Sequence, residues 1–296
     1  MSNQSLGNGM AAFSFILWGL LPLYYQYLPN AATDELLAVR LIASVPLGAL
    51  IVFAVTKRLP QFNAIWADKR SLITTALAAV VMSISWVAFT WALTNERVME
   101  SSLGFFISPI ATMALGVFCL GERLSLGKKV ALALACIGLG YQVIHYGELP
   151  LVALSIAVFF SLYGWLKKKI NYEWSTSLFV EALVLLPLAI SYLFYKEMTL
   201  GTDSFHSGMS TLALYIGSAP ATLLPLLFFS IAIRLTSLST IGLMQYIEPS
   251  IQFILAVYLF GEAFDEVKLV SFSFIWAGLL FTVFDSLRYR YTAKSR

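Results

Sequence analysis

The chain has very little cysteine, histidine or charge, and each shortage removes a class of function. Its two cysteines, Cys119 and Cys136, both lie in apolar runs, so neither a disulfide framework nor a metal cluster is indicated. The two histidines, His145 and His206, have no ligand-spaced companions and read as surface residues rather than catalytic ones. Charged residues make up 12% of the sequence, roughly half the share found in soluble domains. No phosphate-binding glycine loop, nucleotide fingerprint, metal-ligand pair or nucleophile elbow occurs. Catalysis, a bound cofactor, a metal, direct use of ATP and nucleic-acid binding are therefore not expected. What is abundant is apolar surface, at 59% hydrophobic, which indicates an integral membrane protein with almost no soluble mass.

A bilayer-spanning helix needs about 20 mainly apolar residues, because it rises ~1.5 Å per residue through a core ~30 Å thick. Ten segments fit: 6–28, 34–56, 71–93, 101–120, 127–146, 149–166, 176–195, 211–232, 240–260 and 268–287. The first is long enough to span rather than to be a cleaved leader, and no Lys or Arg precedes it. With the N-terminus inside, the inner segments carry 15 Lys and Arg against four outside, namely Arg40, Arg97, Lys196 and Lys268. That bias predicts a multi-pass protein with both termini in the cytoplasm.

A pattern also occurs twice, at an offset of 140 residues. Pro109 and Gly121-Glu122 recur as Pro249 and Gly261-Glu262; Lys128, Val130 and Gly138-Leu139 recur as Lys268, Val270 and Gly278-Leu279. The pattern predicts a duplication, with one five-helix repeat over 6–146 and a second over 149–287. Five spans per repeat is odd, so the second repeat inserts upside down. The fold expected is all-α: ten transmembrane helices in two inverted repeats meeting around a central cavity, a geometry common among alternating-access carriers.

Polar groups within a span point into the bundle or a wet cavity. Gln245, Glu248 and Gln252 share one helical face of the ninth span, and Phe105, Ser108 and Thr112 share one face of the fourth. The 140-residue offset maps each set onto the other. Each face lies beside a proline, Pro109 or Pro249, which frees a carbonyl and makes the helix a candidate hinge. Prolines are also ordinary in membrane helices, and Ser108 and Thr112 can bond back to their own backbone.

Glu248 lies ~12 Å inside the cytoplasmic end by helical rise. It is a candidate proton carrier, or alternatively a protonated, hydrogen-bonded structural residue. Glu181, in the seventh span, is a weaker candidate of the same kind. Arg40 is a possible gate with Glu100, an anion-binding group, or a snorkelling side chain. Among the aromatics, Trp18, Trp86, Trp91, Phe105, Tyr163 and Tyr246 are candidates to line a cavity for a flat or cationic small molecule. Interfacial belts and lipid-facing positions are the competing use of such rings.

Many blocks resemble the drug/metabolite transporter superfamily, and in particular its EamA-type RarD branch. In the first half they are Trp18-Gly19 with Pro22, Asp34-Glu35 with Arg40, Trp86 with Trp91, Glu100 to Phe106, Pro109 and Leu120 to Arg123. In the second they are Tyr163-Gly164, Lys168-Lys169, Glu181, Leu186-Pro187, Leu238 to Thr240, Gln245 to Ile247, Pro249, Gly261-Glu262, Phe274 to Trp276 and Asp285. The resemblance implies ten helices in two inverted repeats around a cavity, and export or exchange of small metabolites or drugs across the bacterial inner membrane. Members carry a label of chloramphenicol sensitivity or resistance. Ser85 and Ser108 stand where the family favours asparagine, and Glu248 where a small residue is usual, so the substrate of this member is expected to differ. A small-molecule substrate and the lipid bilayer are the partners expected, and no signal for an oligomeric state is present. The rival readings are a scaffold or sensor without transport and a membrane enzyme. The latter lacks a catalytic set.

Overall fold

The structure is a computed structural model that describes residues 3–28, 31–94, 98–147, 151–259, 261 and 266–294, with backbone only at 90, 93–94, 98–102 and 286–294. Among the described residues fourteen helices follow one another: α1 (Asn3–Gly19), α2 (Pro22–Tyr25), α3 (Thr33–Thr56), α4 (Phe62–Ala67), α5 (Lys69–Thr94), α6 (Val98–Leu120) and α7 (Leu126–Tyr146); then α8 (Leu151–Lys167), α9 (Trp174–Thr199), α10 (Asp203–His206), α11 (Met209–Leu235), α12 (Leu238–Gln245), α13 (Ile247–Tyr258) and α14 (Glu266–Lys294). No strand occurs among the described residues. Among the described residues, eight helical segments are long and apolar enough to cross a bilayer. At the positions of the two further spans expected lie α8, a shorter apolar helix, and the consecutive helices α12 and α13, which are separated at Tyr246. The chain is an all-α membrane protein. Phe118, Ile144, Leu188 and Phe284 turn outward, as lipid-facing side chains do.

Local chemistry sets the helix ends. Asp68 precedes α5 and accepts the backbone N–H of Ser71 at 3.0 Å, a bond that holds its carboxyl below the usual range. The Tyr172 hydroxyl donates to the carbonyl oxygens of Ile65 (2.6 Å) and Asp68 (3.0 Å), and burial pushes its pKa up. Ser125 caps α7 and Ser237 caps α12. The chain leaves α6 at Gly121 with φ +66°, a left-handed turn that glycine adopts without strain.

Two compact units form: Met1–Ser83 with Leu166–Leu235, and Ile84–Trp165 with Thr236–Arg296. Each draws helices from both halves of the sequence. In the first, α1 packs on α11 and α3 on α9. The Ser14 hydroxyl donates to the Pro225 carbonyl oxygen (2.8 Å) and the Tyr24 hydroxyl to that of Leu214 (2.5 Å), so the segment formed by α1 and α2 runs antiparallel to α11. Lys196 reaches Asp34 (2.6 Å) and Glu35 (3.0 Å), while a Cβ on Gly48 would lie 3.3 Å from the Phe179 backbone. Therefore α3 and α9 are antiparallel as well.

In the second unit, α6 packs on α12 and α7 on α14. Glycine lets α7 and α14 approach closely. A Cβ on Gly138 would lie 2.9 Å from the Ser271 carbonyl oxygen, and one on Gly278 would lie 2.8 Å from Ala131 Cα. Gly278 is the 140-residue counterpart of Gly138, and Ser271 that of Ala131. The contact is thus reciprocal across an antiparallel pair.

Candidate functional site

The seam between α6 and α12 combines a glycine that admits close approach with polar groups that bond across it. A Cβ on Gly242 would lie 2.8 Å from the Pro109 carbonyl oxygen, which leaves room only for glycine there. One turn on, Tyr246 donates its hydroxyl to the carbonyl oxygen of Phe106 at 3.2 Å. Beside it the Gln245 Nε2 donates to Ser108 Oγ at 3.4 Å, with both residues buried. The seam continues toward α8, where Thr112 Oγ1 and Ser161 Oγ are 3.0 Å apart and Ser161 donates to the Ser108 carbonyl oxygen at 3.1 Å. Ser85 donates to the Ile156 carbonyl oxygen at 3.0 Å.

Gln245 is only 5% exposed, and its Oε1 has no hydrogen-bond partner among the described residues. One turn along the same face, Glu248 is half-buried and accepts from Gln252 Nε2 through Oε1 at 3.4 Å. Ser108, Thr112, Gln245, Tyr246, Glu248 and Gln252 therefore form one polar region in the second unit. Phe105 is half-buried on α6, with Phe89 edge-on at 5.4 Å and Trp86 beyond Phe89 at 6.3 Å. Tyr163 is fully buried in α8, and Trp91 is exposed on α5.

The remaining candidates lie in the first unit. Trp18 is buried against Phe15 (ring centroids 5.5 Å) and Phe229 (5.7 Å). Arg40 is buried, donating to Thr222 Oγ1 at 3.3 Å and to the Tyr25 hydroxyl at 3.4 Å. Glu181 forms an ion pair with the buried Lys167 at 2.5 Å and accepts from Ser177 Oγ at 3.0 Å. The side chain of Glu100 lies outside the described residues, as does Glu262.

The prolines behave unequally. α6 continues as a helix through Pro109, whereas the helix carrying Pro249 is interrupted three residues earlier, at Tyr246.

Sequence reasoning missed a second polar cluster. Glu122 accepts the backbone N–H groups of Leu238 (2.7 Å) and Ser239 (2.8 Å), taking up donors that α12 leaves open at its start. Lys128 Nζ donates to Ser237 Oγ (3.2 Å), Ser239 Oγ (3.2 Å) and Thr240 Oγ1 (2.6 Å). The signal was present, since Glu122 and Lys128 both belong to the repeated pattern. Their common target was not.

The chain was also compared with known proteins. The EamA-like transporter family matches residues 5–141. An uncharacterized transporter of Vibrio cholerae is 34% identical over 96% of this chain and 94% of the relative. Protein RarD of Salmonella typhi is 34% identical over 94% of each chain. A protein of known crystal structure, 16% identical, shares the fold with a TM-score of 0.71 over 93% of this chain and 96% of its own.

Proposed function

The chain belongs to the EamA-like transporter family, on its RarD branch, and from that membership we propose that it is a secondary transporter of small metabolites or drugs. It exports or exchanges its solute across the bacterial inner membrane by alternating access, with both termini in the cytoplasm. Ten transmembrane segments form two inverted five-helix repeats, over 6–146 and 149–287, with α8 and the interrupted α12–α13 serving as the sixth and ninth spans.

The single observation that carries this reading is the bond from Tyr246 to Phe106, residues 140 positions apart on antiparallel helices. Antiparallel pairing of repeat counterparts is what an inverted duplication produces, and it supports the carrier geometry. The bond lies beside a buried amide with a free oxygen and a half-exposed carboxylate. A charge at that depth is expensive against lipid, which favours a wet, solute-accessible cavity next to Glu248. Glu248 carries the coupling proton in this reading, and the interruption at Tyr246 gives its helix a point about which to bend. Glu181 is better explained as the structural partner of Lys167.

Proteoliposome counterflow tests the proposal. Purified protein reconstituted with an internal pool of unlabelled solute should accumulate the labelled solute transiently. Absence of counterflow across a broad panel of metabolites and antibiotics would favour the scaffold or sensor reading, and product formation would favour an enzyme.

A further inference from the structure

We infer that the solute handled at the α6–α12 seam carries a protonated amine, an inference that rests on the carrier reading above. The charge of the site points this way. Glu248 is half-buried on the first turn of α13 and accepts a hydrogen bond from the neutral Gln252 amide. Among the described residues, no lysine, arginine or histidine lies in ion-pair range of it. A carboxylate without a protein counter-ion, held within a span, recognises a cation and rejects an anion.

Hydrogen bonding narrows the class. Gln245 is 95% buried by its 5% exposure, yet its Oε1 has no partner among the described residues, so a buried acceptor stands open one turn from Glu248. A primary ammonium carries three donors and can serve both the amide oxygen and the carboxylate. A quaternary ammonium has none and would leave Gln245 unmet. Were the amide turned over, its NH2 would be the open group, but the carboxylate would still fix the sign of the ligand charge.

The body of the ligand follows from the neighbouring rings. The offset that relates the repeats maps the Gln245–Ser108 contact onto Phe105 and Glu248. Phe105 heads the edge-on series Phe105, Phe89 and Trp86. By that symmetry Phe105 is inferred to stand beside Glu248, and an aromatic ring beside a carboxylate is a favourable seat for an alkylammonium and for a flat group attached to it. The site is therefore suited to an arylalkylamine.

The test uses the full chain in lipid nanodiscs and matched probes that differ in one group. Tyramine, 2-phenylethylamine and tryptamine are each compared with the corresponding alcohol and carboxylate by calorimetric titration. At least one amine should bind tenfold or more tightly than its alcohol. Glu248→Gln should abolish that preference, and Gln245→Leu should weaken the amine several-fold while thermal unfolding stays cooperative. An alcohol or carboxylate that binds as well as its amine, a panel in which no amine binds, or a preference that survives Glu248→Gln would overturn the inference. Counterflow with the bound probes separates the two levels. A neutral or anionic probe that is carried removes the amine class and leaves the carrier; amines that bind but are never carried keep the amine site and remove the carrier.

Discussion

Tyr246 donates its hydroxyl to the backbone carbonyl of Phe106, the residue that occupies its own position in the first half of the sequence. Both side chains are buried and share a cluster with Phe272 and Ile275. Removing only the hydroxyl, by Tyr246→Phe, should leave the ring packing intact and cost about 1 kcal/mol, the usual net value of such a bond. Thermal unfolding in nanodiscs should show a small downward shift with an unchanged transition width. A shift of zero would mean that the bond contributes nothing to the seam.

Glu122 and Lys128 hold the start of α12 from two sides. Glu122→Ala should cost about 1 kcal/mol, as loss of a helix-start acceptor does. Hydrogen exchange at the Leu238 and Ser239 amides should accelerate, because those two N–H groups are its partners. Unchanged exchange there would remove Glu122 from this role.

Lys167 and Glu181 are a buried pair, and breaking one half strands the other charge. Lys167→Met should destabilise by about 3–5 kcal/mol, while the double variant Lys167→Met with Glu181→Leu should recover most of the loss. Retained transport in the double variant is expected if Glu181 serves only Lys167. A stable double variant that no longer transports would restore Glu181 as a coupling residue.

Acid should weaken the entry to α5. The Ser71 backbone N–H holds the Asp68 carboxyl below its ordinary value, so the bond contributes at neutral pH and is lost as pH falls through the folded-state value. Asp68→Asn keeps an acceptor at the helix start but cannot titrate. The melting-temperature advantage of aspartate over asparagine should therefore shrink between about pH 7 and about pH 3. A constant difference across that range would contradict the assignment.

If Glu248 carries the coupling proton, Glu248→Gln should flatten the pH dependence of counterflow. Unchanged pH dependence at normal protein levels would refute that role.

The all-helical membrane class was legible from the apolar runs, and the family from blocks spread along the chain. Two matched polar faces, with Ser108 on the fourth span and Gln245 and Glu248 on the ninth, are legible because helical periodicity and the 140-residue offset agree there. Other features were not legible because they depend on partners distant in sequence. Lys167 falls among the 15 basic residues assigned to the inner side; only the fold buries it and brings Glu181 to it. Pro109 and Pro249 have the same local spacing, yet a proline removes one donor and does not dictate a break. The fold interrupts the helix at Tyr246 and leaves α6 continuous through Pro109. The divided halves were equally hidden, since periodicity says which face of a helix is buried but not which helix covers it.

Alternating access is the central claim, and side-chain accessibility at the seam tests it most directly. Gln252→Cys, on the face of Glu248, is placed in a background with Cys119 and Cys136 changed to serine. A membrane-impermeant thiol reagent is then applied from either side of oriented vesicles. The account predicts labelling from both sides, slowed by a transported solute. Labelling confined to one side under all conditions, or absent from both, would contradict it.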